Sequence, residues 1–173
     1  ILITFFRGAD KLRAAVIHSI QIRALPNIGV LLSNGFNSSL ILNVLVKETS
    51  SSVKAFSYGD INTCISGVEY YKINDSIVEV PAREVIGHVP HEYMGMYLLF
   101  KYAASVNTKV LYHGLGLDEL FQADGSEDAI SALYTRELKI LDNLAGMFDI
   151  EIRYPFLDKN VIKRLLSVSI TTM

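Results

Sequence analysis

The residues best suited to phosphate chemistry lie in a polar turn between an apolar run and a helix-like segment. Residues 28–32 (IGVLL) are apolar, residues 33–39 (SNGFNSS) form the turn, and residues 40–47 are typical of a helix. A buried strand that leads through such a turn into a helix N-terminus collects backbone N–H groups and hydroxyls around an anion, and the helix dipole also favours negative charge there. The pattern predicts an anion-binding loop, although Ser38 and Ser39 also suit helix capping.

A second strand-like run ends in glycines and acidic residues. Residues 109–112 are followed by HGLGLDELF, in which Gly114 and Gly116 allow the backbone to approach a ligand closely. Asp118 and Glu119 lie at a helix start, where carboxylates are favoured. Two interpretations stay open for this pair: ligand binding, or an acidic first turn that only stabilises the helix.

A third segment, residues 141–158, brings further charged residues near the end of the sequence. Glu151 and Arg153 alternate on an extended stretch, so they either take part in chemistry or form an ion pair with each other. Asp158 precedes the last predicted helix and suits its N-cap. We prefer a structural role for Arg153 and Asp158, whereas the two interpretations of Glu151 weigh equally.

Taken in order, the three segments resemble the asparagine synthetase family of ATP pyrophosphatases, in its C-terminal synthetase domain. SNGFNSS is similar to the family's SGGxDSS pyrophosphate loop, HGLGLDELF to LSGEGADELF, and GMFDIEIRYPFLD to GLEVRVPFLD. The resemblance covers roughly residues 10–60, 109–122 and 138–167, and the middle of the chain looks shortened. The family's glutaminase domain has no counterpart in these residues.

The resemblance implies ATP and Mg²⁺ as cofactors. In the family, a carboxylate attacks the α-phosphate of ATP to give an acyl-adenylate and pyrophosphate, and an amine then displaces AMP to form an amide. Asp118 would be the carboxylate that holds the metal, and Glu151 would handle protons during amide formation. The positions implied to contact the nucleotide are Ser33, Gly35, Asn37, Ser38, Ser39, Gly114 and Gly116.

Several departures from the family pattern weaken this implied site. Asn37 replaces the Asp that the family uses for magnesium, Asn34 replaces a Gly, and Leu115 replaces a Glu. A unit-charge pair at ~4 Å is worth about 4 kcal/mol at an effective dielectric near 20. Even after desolvation is subtracted, the loss of one carboxylate weakens metal binding by about ten- to a hundred-fold. His113 and Asn143 also replace a small hydroxyl residue and an Arg of the family.

These departures leave two functions of different class. The first is a non-catalytic scaffold subunit of a larger protein assembly, with or without residual nucleotide binding. The second is an active ATP-dependent amide ligase that works as in asparagine synthesis. The substituted loop favours the first, whereas the retained Ser38, Ser39, Asp118 and Glu151 favour the second.

The order of apolar runs predicts an α/β fold with a parallel sheet covered by helices on both faces. The resemblance narrows this to the Rossmann-like three-layer sandwich of the adenine-nucleotide alpha-hydrolases, in a single domain over residues 1–173. We expect strands at residues 28–32, 53–58, 76–80 and 109–112. We expect helices at residues 11–24, 40–47, 67–72, 91–106, 118–122, 127–144 and 159–167.

Composition excludes several classes of protein. Half of the 173 residues are hydrophobic and 20% are charged, which is incompatible with a disordered chain. A net charge of −2 without a basic cluster gives no indication of a nucleic-acid partner. The single cysteine, Cys64, excludes an intramolecular disulfide framework, and no apolar run reaches the length of a transmembrane helix. We expect an intracellular protein, in the cytoplasm or an organelle, and the scaffold interpretation of the resemblance implies other protein subunits as its partners.

Overall fold

A five-stranded, all-parallel sheet lies at the centre of the computed structural model, which describes residues 2–48, 52–62, 64–74, 93–122 and 131–169. Its strands in chain order are β1 (Ile28–Leu31), β2 (Val53–Tyr58), β3 (Val68–Ile73), β4 (Val110–Tyr112) and β5 (Glu151–Arg153). Their order across the sheet is β3-β2-β1-β4-β5, and every neighbouring pair is parallel. The predicted α/β fold class is confirmed.

Helices cover both faces of this sheet. They are α1 (Leu2–Gln21), α2 (Phe36–Glu48), α3 (Met94–Ser105), α4 (Leu117–Gln122), α5 (Lys139–Gly146) and α6 (Lys159–Ser169). A π-helical turn (Leu133–Leu138) leads into α5, and a 3-10 turn (Pro155–Leu157) precedes α6. Among the described residues, no helix is both long enough and apolar enough to cross a bilayer.

The alternation of side chains along β1 divides the core into two layers. Ile28 and Val30 join the apolar cluster that α1, α2 and α6 cover, whereas Leu31 joins the cluster that α3 and α5 cover on the opposite face. All four residues of β1 are buried, as expected of a central parallel strand. The result is a three-layer sandwich with β1 at its middle.

The position of β1 also determines where a ligand can bind. The chain leaves β1 towards β2 on one side, and β4 lies on the other side, so the strand order reverses between β1 and β4. In open parallel sheets, ligands bind at this topological switch point, beyond the carboxyl ends of the strands. The two glycine-containing loops predicted as functional follow β1 and β4, and they therefore lie side by side.

One predicted element is wrong, and others differ in their limits. Residues 67–72 were expected to form a short helix, but Val68–Ile73 is strand β3, paired along its whole length with β2. The segment VEYYKI is rich in β-branched and aromatic residues, which pack well on a pleated surface. Helix α2 begins four residues before the predicted start at Leu40, because the polar residues that precede Leu40 form its first turn.

The remaining expectations agree to within a few residues where they can be compared. The strand predicted at residues 53–58 has these limits in the structure, and those predicted at 28–32 and 109–112 are each one residue shorter. The first helix ends three residues earlier than predicted and begins nearer the N-terminus. The strand predicted at residues 76–80 lies outside the described residues, as do the starts of the helices predicted at 91–106 and 127–144.

Close packing around β1 makes one glycine in the sheet sensitive to substitution. A Cβ atom added at Gly29 would lie 2.5 Å from Leu111 Cδ2 and 2.7 Å from Phe56 Cε2, and both of these side chains are fully buried. We expect Gly29→Ala to lower the free energy of unfolding by about 1–3 kcal/mol, because overpacking displaces core side chains. Urea unfolding followed by circular dichroism measures this change.

The matched control is Gly146→Ala, at the end of α5, where an added Cβ would contact nothing within 4 Å. We expect this variant to be as stable as the unmodified chain or more stable by up to about 1 kcal/mol, because Ala favours the helix over Gly. Equal stability of the two variants would contradict the packing around β1.

Candidate functional site

The loops after β1 and β4 touch each other at the carboxyl edge of the sheet. We call residues 33–35 the β1 loop and residues 113–116 the β4 loop. A Cβ atom added at Gly114 would lie 3.0 Å from the backbone nitrogen of Ser38 and 3.1 Å from Asn37 Cβ. Gly114 therefore does permit a close backbone approach, as the sequence predicts, but the approach is to the first turn of α2.

The serine hydroxyls of the β1 loop and of the first turn of α2 form hydrogen bonds within the protein. The Ser38 side chain is only 4% exposed, and its Oγ accepts a hydrogen bond from the backbone N–H of Ser33 at 3.1 Å. Ser33 Oγ lies 3.0 Å from Ser38 Oγ and accepts the N–H of Gly35 at 3.2 Å. Ser39 Oγ donates to the carbonyl of Gly35 at 3.0 Å. These bonds fold the turn and begin α2 without any ligand.

Asn37 and Asp118 meet across the two loops. Asn37 Nδ2 donates a hydrogen bond to Asp118 Oδ2 at 3.0 Å, which joins the first turn of α2 to the first turn of α4. An ionised carboxylate only accepts, so the amide presents its NH₂ group to Asp118, and its oxygen faces away. The structure thus brings together the two positions that the resemblance associates with magnesium.

This pair does not fit a magnesium ion. Mg²⁺ takes oxygen ligands, usually one or two carboxylates together with substrate phosphates and water. Here the single carboxylate is bonded to an amide N–H, and no cluster of three or more His, Cys, Asp or Glu residues suited to a metal occurs in the described parts of the chain. No chemical step through a metal follows from these residues.

Asn34 ties the β1 loop to the segment after β2. Its Nδ2 donates to the carbonyl of Asp60 at 3.1 Å, and its Oδ1 accepts from the backbone N–H of Asn62 at 2.9 Å. A glycine at this position would make neither bond. Sequence reasoning recognised Asn34 only as a departure from the pattern, because its partners are distant along the chain and no local signal identifies them.

The backbone N–H groups of His113, Leu115 and Gly116 in the β4 loop donate hydrogen bonds within the protein. Glu119 Oε2 accepts from the N–H of Gly116 at 2.8 Å, as the third residue of a helix does when it caps the helix start. Of the two interpretations for this carboxylate, the capping one is confirmed. Gly116 has a φ of +114°, and a Cβ atom there would lie 2.5 Å from Leu157 Cδ2, so that both the backbone and the packing require glycine.

His113 is a partly buried neutral base at the start of the β4 loop. Its Nδ1 accepts the backbone N–H of Leu115 at 3.0 Å, which leaves the ring proton on Nε2. Burial lowers the pKa of His113 to about 4, so the ring carries no charge at neutral pH. In the sequence, His113 stood out only because it replaces a small hydroxyl-bearing residue of the family pattern.

A pocket of about 520 Å³ remains beside the two loops. This volume is within the range of small-molecule sites. Leu115 lines the pocket at the position where the family pattern has a Glu, and Asp118 and Glu119 lie in its wall. Tyr58 and Asp60 close the side nearest β2, although sequence reasoning did not name either residue.

Glu151 lies apart from this pocket. It is the first residue of β5 and pairs in register with Val110 at the start of β4, whereas the loops follow the opposite ends of the strands. The pocket that it does line also contains Arg23 and Arg153. Arg153 Nε donates to Glu151 Oε1 at 2.8 Å, so the predicted ion pair is confirmed. The structure does not bring Glu151 together with the other predicted site residues.

Asp158 has the structural role that the sequence predicts. Its Oδ1 accepts the N–H of Asn160 at 2.8 Å, which caps α6, and its Oδ2 pairs with the Arg23 guanidinium at 2.6 Å. Burial raises the pKa of Asp158, but these two partners outweigh it, and the pKa is held below its ordinary value. Asp158 thus links the start of α6 to the residues that follow α1.

The pKa of His113 predicts a loss of stability in mild acid. The ordinary value of ~6.5 applies to the unfolded chain, whereas burial lowers the pKa to about 4 in the fold. Between these values the unfolded chain binds more protons, so the free energy of unfolding is retained above about pH 6.5 and falls as the pH falls towards 4. From about pH 7.5 to about pH 5, we expect urea unfolding to show a loss of about 1–2 kcal/mol from this group.

Two variants isolate this contribution. His113→Asn keeps a side-chain acceptor for the Leu115 N–H but does not titrate, so we expect its stability to change less over the same pH range. His18→Gln is the matched control, because His18 is exposed on α1 and its removal leaves the effect in place. An unchanged pH dependence in His113→Asn would contradict the burial of a neutral imidazole.

Comparisons with known proteins add no family to this picture. No family model matches the chain, and a search of curated proteins finds no match to it. The likeness to the asparagine synthetase family therefore rests on three motifs in their order along the chain, and it stays a prediction. The parallel sheet with both loops at its switch point is compatible with that likeness, but such sheets carry many unrelated functions.

Proposed function

We propose that this chain is an asparagine-synthetase-like domain without catalytic activity, which serves as a scaffold subunit in a larger protein assembly. The observation that carries the proposal is the hydrogen bond of 3.0 Å between Asn37 Nδ2 and Asp118 Oδ2. It joins, as an amide–carboxylate pair, the two positions at which the resembled family holds its metal. The contact stabilises the loops where the family would bind Mg²⁺ and the phosphates of ATP.

The charge of the pocket supports this proposal. Asp60, Asp118 and Glu119 lie in its wall, whereas its lining among the described residues includes no Lys or Arg, and His113 is neutral. Lys72 pairs with Asp60 from outside the pocket. Without a metal to bridge them, the remaining carboxylates repel a triphosphate, and this repulsion is strongest where water is excluded.

The backbone donors support it as well. An anion loop works because its N–H groups are free to point at the ligand. Here the N–H groups of Ser33 and Gly35 donate to serine hydroxyls of the same turn. Those of Leu115 and Gly116 donate to His113 and Glu119. A phosphate that used these four donors would first have to break the bonds that they make now.

An active amide ligase is the second candidate. The open pocket of about 520 Å³, bordered by Ser33, Gly35 and Asp118, favours it. In this alternative, Asp118 and the side-chain oxygen of Asn37 would hold a magnesium ion bound with ATP, and that ion would supply the positive charge that the phosphates need. Direct measurement of nucleotide binding separates the two functions.

Isothermal titration calorimetry with ATP and excess Mg²⁺ is the experiment. We expect no micromolar binding by the unmodified chain. We expect magnesium-dependent binding in the double variant Asn37→Asp, Asn34→Gly, because it restores a second carboxylate and frees the β1 loop from Asp60 and Asn62. A gain of at least about tenfold corresponds to the ~1.4 kcal/mol that one restored carboxylate supplies after desolvation.

The control is Asn143→Asp, which introduces the same charge at an exposed position of α5. It should bind ATP no better than the unmodified chain. Micromolar, magnesium-dependent binding by the unmodified chain would contradict the scaffold proposal and favour the ligase. If neither the chain nor the double variant binds, the pocket has been altered beyond these two residues, and the scaffold proposal stands.

A further inference from the structure

An apolar groove of about 510 Å³ runs between α1 and α2, on the face of the sheet opposite α3 and α5. Leu12 and Val16 of α1 and Leu40 and Val44 of α2 form its walls. Phe36, at the start of α2, borders the groove with 72% of its surface exposed. Phe36 is the neighbour of Asn37 in the sequence, so the groove lies next to the Asn37–Asp118 hydrogen bond. Phe36 itself takes no part in that bond.

Positive charge borders this groove. Arg13 and Lys47 lie in its lining, and neither forms an ion pair within the described part of the chain. The one acidic residue of the lining, Glu48, instead accepts a hydrogen bond from Gln21 Nε2 at 3.2 Å. The groove therefore presents, beside an apolar surface, two cations that have no ion-pair partner among the residues that the structure describes.

We propose that this groove binds an amphipathic helix of a partner subunit, with apolar residues at i, i+3, i+4 and i+7 and acidic residues beside them. This inference rests on the proposed scaffold function and names its docking surface. A groove between two helices is shaped for such a helix, since its apolar face fills the groove and its flanks meet the rim. Acidic residues on the two sides of that helix would lie close to Arg13 and Lys47, and this pairing fixes the orientation of the helix. Partners with basic residues at the same places would be repelled.

Charge also argues against a second copy of this chain as the occupant. A two-fold contact places the same patch on both sides of an interface. It would bring Arg13 and Lys47 of one copy towards the same cations of the other, and like charges at an interface are unfavourable. A hydrophobic helix with carboxylates avoids this conflict.

The test uses the full chain and two synthetic probes. The first is a fluorescein-labelled helical peptide of about 18 residues, or five turns, with Leu at the four anchor positions and Glu on both flanks. The second has Lys in place of every Glu. Fluorescence anisotropy should show that the Glu peptide binds at least about tenfold more tightly than the Lys peptide.

Variants connect this binding to the groove. Phe36→Asp should weaken binding of the Glu peptide at least about tenfold, because it removes an exposed aromatic side chain that the peptide would cover. An acidic residue is favourable in the first turn of a helix, so this change does not oppose α2. Met147→Asp is the matched control, since Met147 is 54% exposed at the end of α5 and lies outside the groove. The double reversal Arg13→Glu, Lys47→Glu should invert the preference between the two peptides.

Equal binding of the two peptides, or equal effects of Phe36→Asp and Met147→Asp, would overturn the proposal. So would concentration-dependent dimerisation in sedimentation velocity that Phe36→Asp abolishes, because the occupant would then be a second copy. The calorimetric measurement with ATP is independent of the groove. Peptide binding together with ATP binding would reject the scaffold function alone, whereas absence of both would reject the docking surface alone.

Discussion

The arrangement at the carboxyl edge of the sheet depends on how closely the β4 loop approaches the first turn of α2. Glycine at position 114 favours this approach, because a Cβ atom there would lie 3.0 Å from the backbone nitrogen of Ser38 and 3.1 Å from Asn37 Cβ, and the first turn of α2 would have to move by a few tenths of an ångström. The approach brings Asp118 within hydrogen-bond distance of Asn37 and joins the starts of two helices. The resemblance implies that the family uses carboxylates at these two positions for magnesium, whereas here an amide bonds a carboxylate directly.

One nitrogen atom in place of an oxygen therefore accounts for much of the proposed loss of chemistry. With Asp at position 37, two carboxylates would face each other and require a cation. With Asn, the amide donates to the carboxylate and no second negative charge has to be offset, and the N–H groups of Gly35, Leu115 and Gly116 are likewise bonded within the protein. The same contacts that oppose phosphate binding stabilise the loops, which is compatible with the proposed scaffold role. The apolar groove beside Phe36 is the surface proposed to dock a partner in that role.

The sequence predicts the fold better than the connections within the site. Continuous apolar runs at β1 and β4 and the mostly apolar segment of β2 predict buried parallel strands, and polar turns after β1 and β4 predict where the loops lie. Most of Val68–Ile73 was predicted as a helix because its mixture of apolar and charged residues does not alternate clearly. It is an outer strand, where backbone pairing with β2 and the stacking of Tyr71 on Phe56 decide the structure. The cap formed by Asp158 was predictable because capping is local.

Tertiary contacts set the limits of sequence reasoning at the site. The partners of Asn34 are distant along the chain, so its role in holding the β1 loop could not be inferred from spacing. Glu151 belongs to a motif that resembles the family, but a motif does not reveal at which end of a strand a residue lies. In the fold that end is opposite the loops, and Glu151 pairs with Arg153.

The most direct test of the central claim is the effect of magnesium on the unfolding free energy of the unmodified chain, Asn37→Asp and the control Asn143→Asp. The account predicts that the unmodified chain and the control do not respond to about 10 mM Mg²⁺. It predicts that Asn37→Asp is less stable without metal, because two carboxylates adjoin, and regains about 1–2 kcal/mol with it. An equal magnesium response in the unmodified chain would contradict the claim that the Asn37–Asp118 hydrogen bond has taken the place of a metal ion.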